Sequence, residues 1–144
     1  MNPKEVAIGR GCIFGAEHDP SFGDTWVSQS AEWKKCLAFN VGPAVTDDSE
    51  NVHYFLATAE LWRFRENPQL LTEVCFFAAN SYPFFPQETA IEFSYLWTVP
   101  LGKLKQHGLR VQGHLTTGDV ERCINGARGA RLLTPKERRL LALI

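Results

Sequence analysis

Residues 33–59 read WKKCLAFNVGPAVTDDSENVHYFLATA. Between Trp33 and Val45, an extended chain puts Leu37, Phe39 and Val41 on one side and Ala38 and Asn40 on the other. Thr46-Asp47-Asp48-Ser49-Glu50-Asn51 is a polar turn. Beyond it, from Val52 to Ala59, Val52, Tyr54, Leu56 and Thr58 alternate against His53 and Phe55. Side chains alternate across a strand with period two, so two such runs joined by turn-forming residues predict an antiparallel hairpin. The fold is built outward from that hairpin.

Upstream, Lys4 to Phe14 reads as an opening strand broken by Gly9-Arg10-Gly11. Those glycines lack the third glycine, the Lys-Ser/Thr pair and the following helix of a phosphate loop, so a turn or bulge is expected. Residues 15–31 read as loop, with Phe22 and Trp26 pinned into the core. Downstream, Leu61 to Arg65 reads equally as more strand or as a helical turn, and Asn67-Pro68 is a breaker. Gln69 to Ala79 fits a buried strand or a short apolar helix, because periodicity cannot separate the two over so short a run. Ser81 to Pro86 is a loop. Glu88 to Val99 alternates Ile91, Phe93, Tyr95 and Trp97 and predicts one strand with an aromatic face. A short strand is expected at Leu109 to Leu115, after the turn at His107-Gly108.

Two helices close the chain. Asp119 to Asn125 carries acids in its first turn and meets Gly126, a stop signal. Thr134-Pro135-Lys136-Glu137 is a complete helix start: a capping hydroxyl, a proline at the first helical position and a glutamate that reaches back. Pro135 to Leu143 is the predicted helix. With no repeat and no low-complexity linker, residues 1–144 form a single α+β domain, an antiparallel sheet with C-terminal helices.

Composition agrees. The 144 residues are 44% hydrophobic and include 10 Phe, 4 Trp and 3 Tyr, enough for a core without disulfide or metal. Disorder, a fibre and a disulfide-stapled mini-protein are excluded as descriptions of the whole. No run of 18 apolar residues exists. The first residues lack the apolar stretch of a secretory signal, and Cys12, Cys36, Cys75 and Cys123 form no paired motif. A cytoplasmic protein with four reduced thiols is expected.

Charge is divided along the chain. Residues 1–100 hold 6 basic and 13 acidic side chains, and residues 101–144 hold 9 and 3, so a net charge of −1 conceals segments of −7 and +6. Either the ends neutralise one another in the fold or they form two electrostatic faces.

No catalytic motif emerges. The Cys and His spacings match no zinc pattern, no cofactor loop is present, and no serine sits in a nucleophile elbow. Binding chemistry is better represented. Asp47, Asp48 and Glu50 put three carboxylates on the hairpin tip, and Glu17, Asp19 and Asp24 add acids in the first loop. Such tips are commonly just solvated turns, yet a stiff acidic hairpin also suits docking on a basic partner. In the opposite sense, Arg122, Arg128, Arg131, Lys136, Arg138 and Arg139 could follow a phosphate backbone. An overall pI near 6.4 places nucleic-acid binding second.

Residues 37–62, from Leu37 through Val41-Gly42-Pro43 and the acidic turn to Leu61-Trp62, resemble the core of bacterial toxin-immunity proteins of the Imm8 type. The family's proline before tryptophan is replaced by Glu60-Leu61, and its Trp-Glu-Phe-Glu ending has no counterpart here. The resemblance implies a non-enzymatic cytoplasmic protein that binds and blocks a cognate secreted toxin. Many such toxins are basic nucleases, which suits the acidic first 100 residues. The alternatives are a nucleic-acid-binding domain and a small enzyme.

Overall fold

A computed structural model describes residues 8–18 and 34–144. Strands β1 (Cys12–His18), β2 (Lys34–Asn40) and β3 (Asn51–Thr58) are followed by a short helix α1 (Trp62–Glu66) and a 3₁₀ segment (Pro68–Glu73). Then come β4 (Val74–Phe77), β5 (Thr89–Glu92), β6 (Trp97–Pro100), α2 (Leu101–Gln106), β7 (Arg110–His114), α3 (Thr117–Arg128) and α4 (Pro135–Leu143). The sheet order is β4-β5-β3-β2-β1-β7, with β6 also on β3, and each of these pairs is antiparallel. The expected hairpin is its centre: Phe39 lies opposite Phe55 and Ala38 opposite Leu56.

Both faces of this sheet are covered, which explains why runs such as Val74-Cys75-Phe76-Phe77 look apolar throughout. On one face Ile13, Phe39, Phe55, Cys75, Phe77, Ile91 and Phe93 pack under Cys123 and Ala127 of α3 and Leu141 of α4. On the other, Phe14, Ala38, Val52, Tyr54, Trp97 and Val99 pack with Leu101 and Leu104 of α2. A smaller cluster beside it joins Val74 and Ala90 to Leu61 and Phe64 at α1. A strand buried on both sides gains by being apolar at every position, so its period-two signal fades.

The N-terminal turn is locked to this core by one polar residue. Asn40 is fully buried; its Nδ2 donates to the Ile8 and Gly9 carbonyls at 3.2 and 2.9 Å, and its Oδ1 accepts the Gly42 N–H at 3.0 Å. Gly11 adopts φ 86°, and a Cβ there would meet Val120 Cγ2 at 2.6 Å. The Gly-Arg-Gly stretch is therefore the expected turn. Arg10 within it donates to the Gly42 carbonyl and to the Ile144 carbonyl, tying that turn to the end of α4.

Three expectations are corrected, and two stretches left open by the sequence are filled. Residues 15–18, read as loop, continue β1 and pair with β2; Phe22 and Trp26 lie outside the described residues. Residues 88–99 are two strands. The chain leaves the ladder at Phe93, whose ring packs at 5.2 Å on Phe55. It returns at Trp97, after the Leu96 N–H has been taken by Glu137 Oε2 at 2.6 Å. The ambiguous 69–79 run is part 3₁₀ turn and part strand, and Leu101–Gln106, unassigned from sequence, is helical. Finally, α3 runs past Gly126 to Arg128, because this glycine serves close approach; an added Cβ would stand 2.9 Å from the Phe93 ring. By contrast α4 starts as predicted, with both halves of its capping box formed between Thr134 and Glu137.

Candidate functional site

The acidic tip is exposed and internally organised. Asp47 Oδ1 accepts the Ser49 N–H at 2.8 Å and the Ser49 hydroxyl at 2.7 Å, and Glu50 Oε1 accepts the Asp47 N–H at 3.2 Å. The side-chain and backbone hydrogen bonds from Ser49 hold the Asp47 carboxyl below its ordinary range. Behind the tip stands α2, whose first N–H groups are used: Leu101 donates to the Glu50 carbonyl and Gly102 to the Asp48 carbonyl, each at 2.9 Å. Lys105 reaches Asp48 Oδ1 at 2.6 Å. A Cβ at Gly102 would lie 3.1 Å from the Asp48 Cβ, so glycine permits this close seating. The three carboxylates are thus fixed in place, and Asp48 shares its charge with a lysine.

Glu17 lies apart from the tip. Glu17 lies on β1 opposite Lys35, at the end of β2 remote from the tip, and its N–H donates to the His107 carbonyl at 2.9 Å. It helps line a cavity of about 390 Å³ with Gly15, Leu37, Arg110 and Gln112. Asp19 and Asp24 lie outside the described residues.

The cations of the C-terminal segment divide into two groups. Arg138 donates to the Leu133 and Ala130 carbonyls, which closes the α3–α4 connection. Arg122 is equally committed, as described below. Arg128, Arg131, Lys136 and Arg139 are exposed, and no carboxylate among the described residues pairs with any of them.

Sequence reasoning missed the densest meeting of chemical groups, at the start of α3. The Tyr82 hydroxyl donates to Asp119 Oδ2 at 2.6 Å and accepts the Thr116 N–H at 2.9 Å. Arg122 Nη2 approaches Asp119 Oδ1 at 3.4 Å, Nη1 donates to the Phe76 carbonyl at 3.1 Å, and the guanidinium lies 4.6 Å above the centroid of the Phe77 ring. Beneath it the thiols of Cys75 and Cys123 are hydrogen-bonded. That bond, with the Arg122 charge, draws the Cys75 thiol down against the burial that raises it, while the same bond and burial push Cys123 up. Cys12, remote from this group, is raised by burial to about 11. Forty-eight residues separate Cys75 from Cys123, so no local motif could have announced the pair.

Elsewhere His53 Nδ1 lies 3.0 Å from Thr98 Oγ1 as a cross-strand pair. Among the described residues no three His, Cys, Asp or Glu side chains converge as a metal site, and no helix is long and apolar enough to cross a membrane. A scan against protein-family models, a search of curated proteins and a search of solved structures each return no match.

Proposed function

We propose that this chain acts by binding rather than by catalysis, as an immunity-type inhibitor that docks on a basic partner protein through the tip carrying Asp47, Asp48 and Glu50. The observation that carries this reading is that each of the three exposed carboxylates has a fixed partner: Asp47 accepts from Ser49, Glu50 from the Asp47 N–H and Asp48 from Lys105 of α2. A partner meeting a preorganised tip loses little further conformational entropy there, and complementary charge speeds encounter and fixes register. The resemblance of residues 37–62 to toxin-immunity proteins points the same way.

The test compares the native chain with the Asp47→Asn/Asp48→Asn/Glu50→Gln variant as bait in lysate of the source cells. The expected result is a basic protein retained by the native chain and lost by the variant, which arrests growth when expressed alone and is harmless beside the native chain. Equal retention by both baits refutes the tip as contact. A captured protein with no growth effect refutes the inhibitor role.

A second reading is favoured by one observation: Arg128, Arg131, Lys136 and Arg139 are exposed and have no carboxylate partner among the described residues. Four such cations suit a phosphate backbone. Filter binding of labelled RNA and DNA, steeply weakened by salt and abolished when the four are replaced by glutamine, would establish it in place of the first.

A further inference from the structure

We propose that Cys75 and Cys123 form a peroxide-responsive dithiol, which closes to a disulfide between β4 and α3. The geometry supplies the parts. The two sulfurs are hydrogen-bonded, one on a strand and one on the helix packed over it, inside a single apolar cluster. Arg122 precedes Cys123 in sequence and grips the carbonyl of Phe76, the residue after Cys75, so the cation is anchored to both partners. Stacking on Phe77 and the contact with Asp119 restrain the guanidinium there.

A thiolate is the nucleophile in thiol oxidation, and an adjacent cation with a donated hydrogen bond favours it. Both effects act on Cys75 and outweigh the burial that raises it and the weaker opposition of the Asp119 carboxylate, whereas the Cys123 thiol keeps its proton. The roles are therefore distinct. The Cys75 thiolate attacks one oxygen of hydrogen peroxide; the O–O bond breaks and hydroxide leaves, taking up the proton that Cys75 had released to give water. The sulfur of Cys123 then attacks the Cys75 sulfenic acid; the S–O bond breaks, and the departing hydroxyl leaves as water with the proton of Cys123. Two thiols are oxidised and one peroxide is reduced to two waters. Cys75 and Cys123 are 6% and 1% exposed, which favours a small oxidant over a bulky disulfide.

The experiment treats the folded native chain with hydrogen peroxide, removes the oxidant with catalase, then denatures, alkylates and maps the peptides by mass spectrometry. The expected result is one cross-linked Cys75–Cys123 peptide lighter by two hydrogen atoms, with two of the four thiols lost and recovered on reduction. Cys12, buried without a cation, should be oxidised at least about tenfold more slowly. Four alkylated thiols after treatment, a doubly oxidised Cys75 without the cross-link, or a cross-link between other cysteines would each overturn the proposal. The native-chain mapping needs no variant. In a folded Cys123→Ser chain a dimedone-type reagent should label Cys75, and in Cys75→Ser it should leave Cys123 unlabelled; the reverse pattern overturns the assignment of roles.

Discussion

Glu73 is a charged residue in an apolar place, only 3% exposed. Its Oε1 accepts the N–H groups of Arg131 and Leu132 at 2.6 and 2.7 Å, and its Oε2 accepts the Thr72 hydroxyl at 2.9 Å. Removing an acceptor leaves buried donors without a partner, at about 1–3 kcal/mol each. Glu73→Ala should therefore cost about 3 kcal/mol in urea unfolding, and Glu73→Gln, which keeps one acceptor oxygen, about 1 kcal/mol. Equal losses would mean that volume rather than hydrogen bonding fixes this site. His53 gives a pH test. Burial lowers its pKa from 6.5, so the unfolded chain binds the proton more readily than the folded one. Its contribution is complete above the unfolded pKa and lost as pH falls from there through the folded value. The melting temperature should drop across that window, and the drop should shrink in His53→Gln. Little of this residue chemistry is legible in sequence. That Asp47 to Glu50 occupy a turn tip can be read from their turn preference; that Asp48 meets Lys105 depends on the placement of α2, which carries no start signal. The Cys75–Cys123 contact depends wholly on how α3 lies on β4.

Elements with their own local chemistry were readable, and those defined by tertiary contact were not. Hairpin β2–β3 follows from alternation, and α4 from the Thr134–Glu137 box, which forms with bonds of 3.1 and 2.9 Å. The break between β5 and β6 has no such mark. Phe93 and Tyr95 continue the alternating pattern through it, and the interruption comes from Glu137, forty-one residues away, binding the Leu96 N–H. Helix α3 is the sharper lesson, because Gly126 reads as a terminator and acts as a packing site. Two substitutions within α3 should separate the meanings of glycine. At Gly118 an added Cβ has nothing within 4 Å, so Gly118→Ala should stabilise by up to about 1 kcal/mol through helix propensity. At Gly126 the same methyl would lie 2.9 Å from a fully buried ring. Overpacking costs about 1–3 kcal/mol and outweighs the propensity gain, so Gly126→Ala should lower the urea midpoint. If both substitutions stabilise, Phe93 can yield and the close approach is not a constraint.

On the scale of the molecule, the acidic tip and the basic α3–α4 segment differ in how their charges are answered. Around the tip, acids are partly answered by Lys105 and by backbone donors, whereas on the α3–α4 segment four cations have no carboxylate partner among the described residues. Nearly equal numbers of opposite charges, evenly mixed, would leave little field beyond a Debye length of about 10 Å at 0.1 M salt; segregated charge leaves local fields that a polyion can sense. The chain, at a formal net charge of −1, should therefore be retained at low salt by both heparin and a quaternary-ammonium resin. Replacing Arg128, Arg131, Lys136 and Arg139 with glutamine should abolish heparin retention. Replaced singly, each cation that touches the polyanion should reduce the log–log salt slope by about one. Asp47→Asn/Asp48→Asn/Glu50→Gln should instead lower the salt needed for elution from the anion exchanger and leave heparin binding no weaker. A native chain that flows through heparin at low salt would show that those cations make no coherent surface, and the nucleic-acid reading would fall with it. Retention that survives the fourfold glutamine change would place the basic surface elsewhere, at Arg110 or on the lysines of α2.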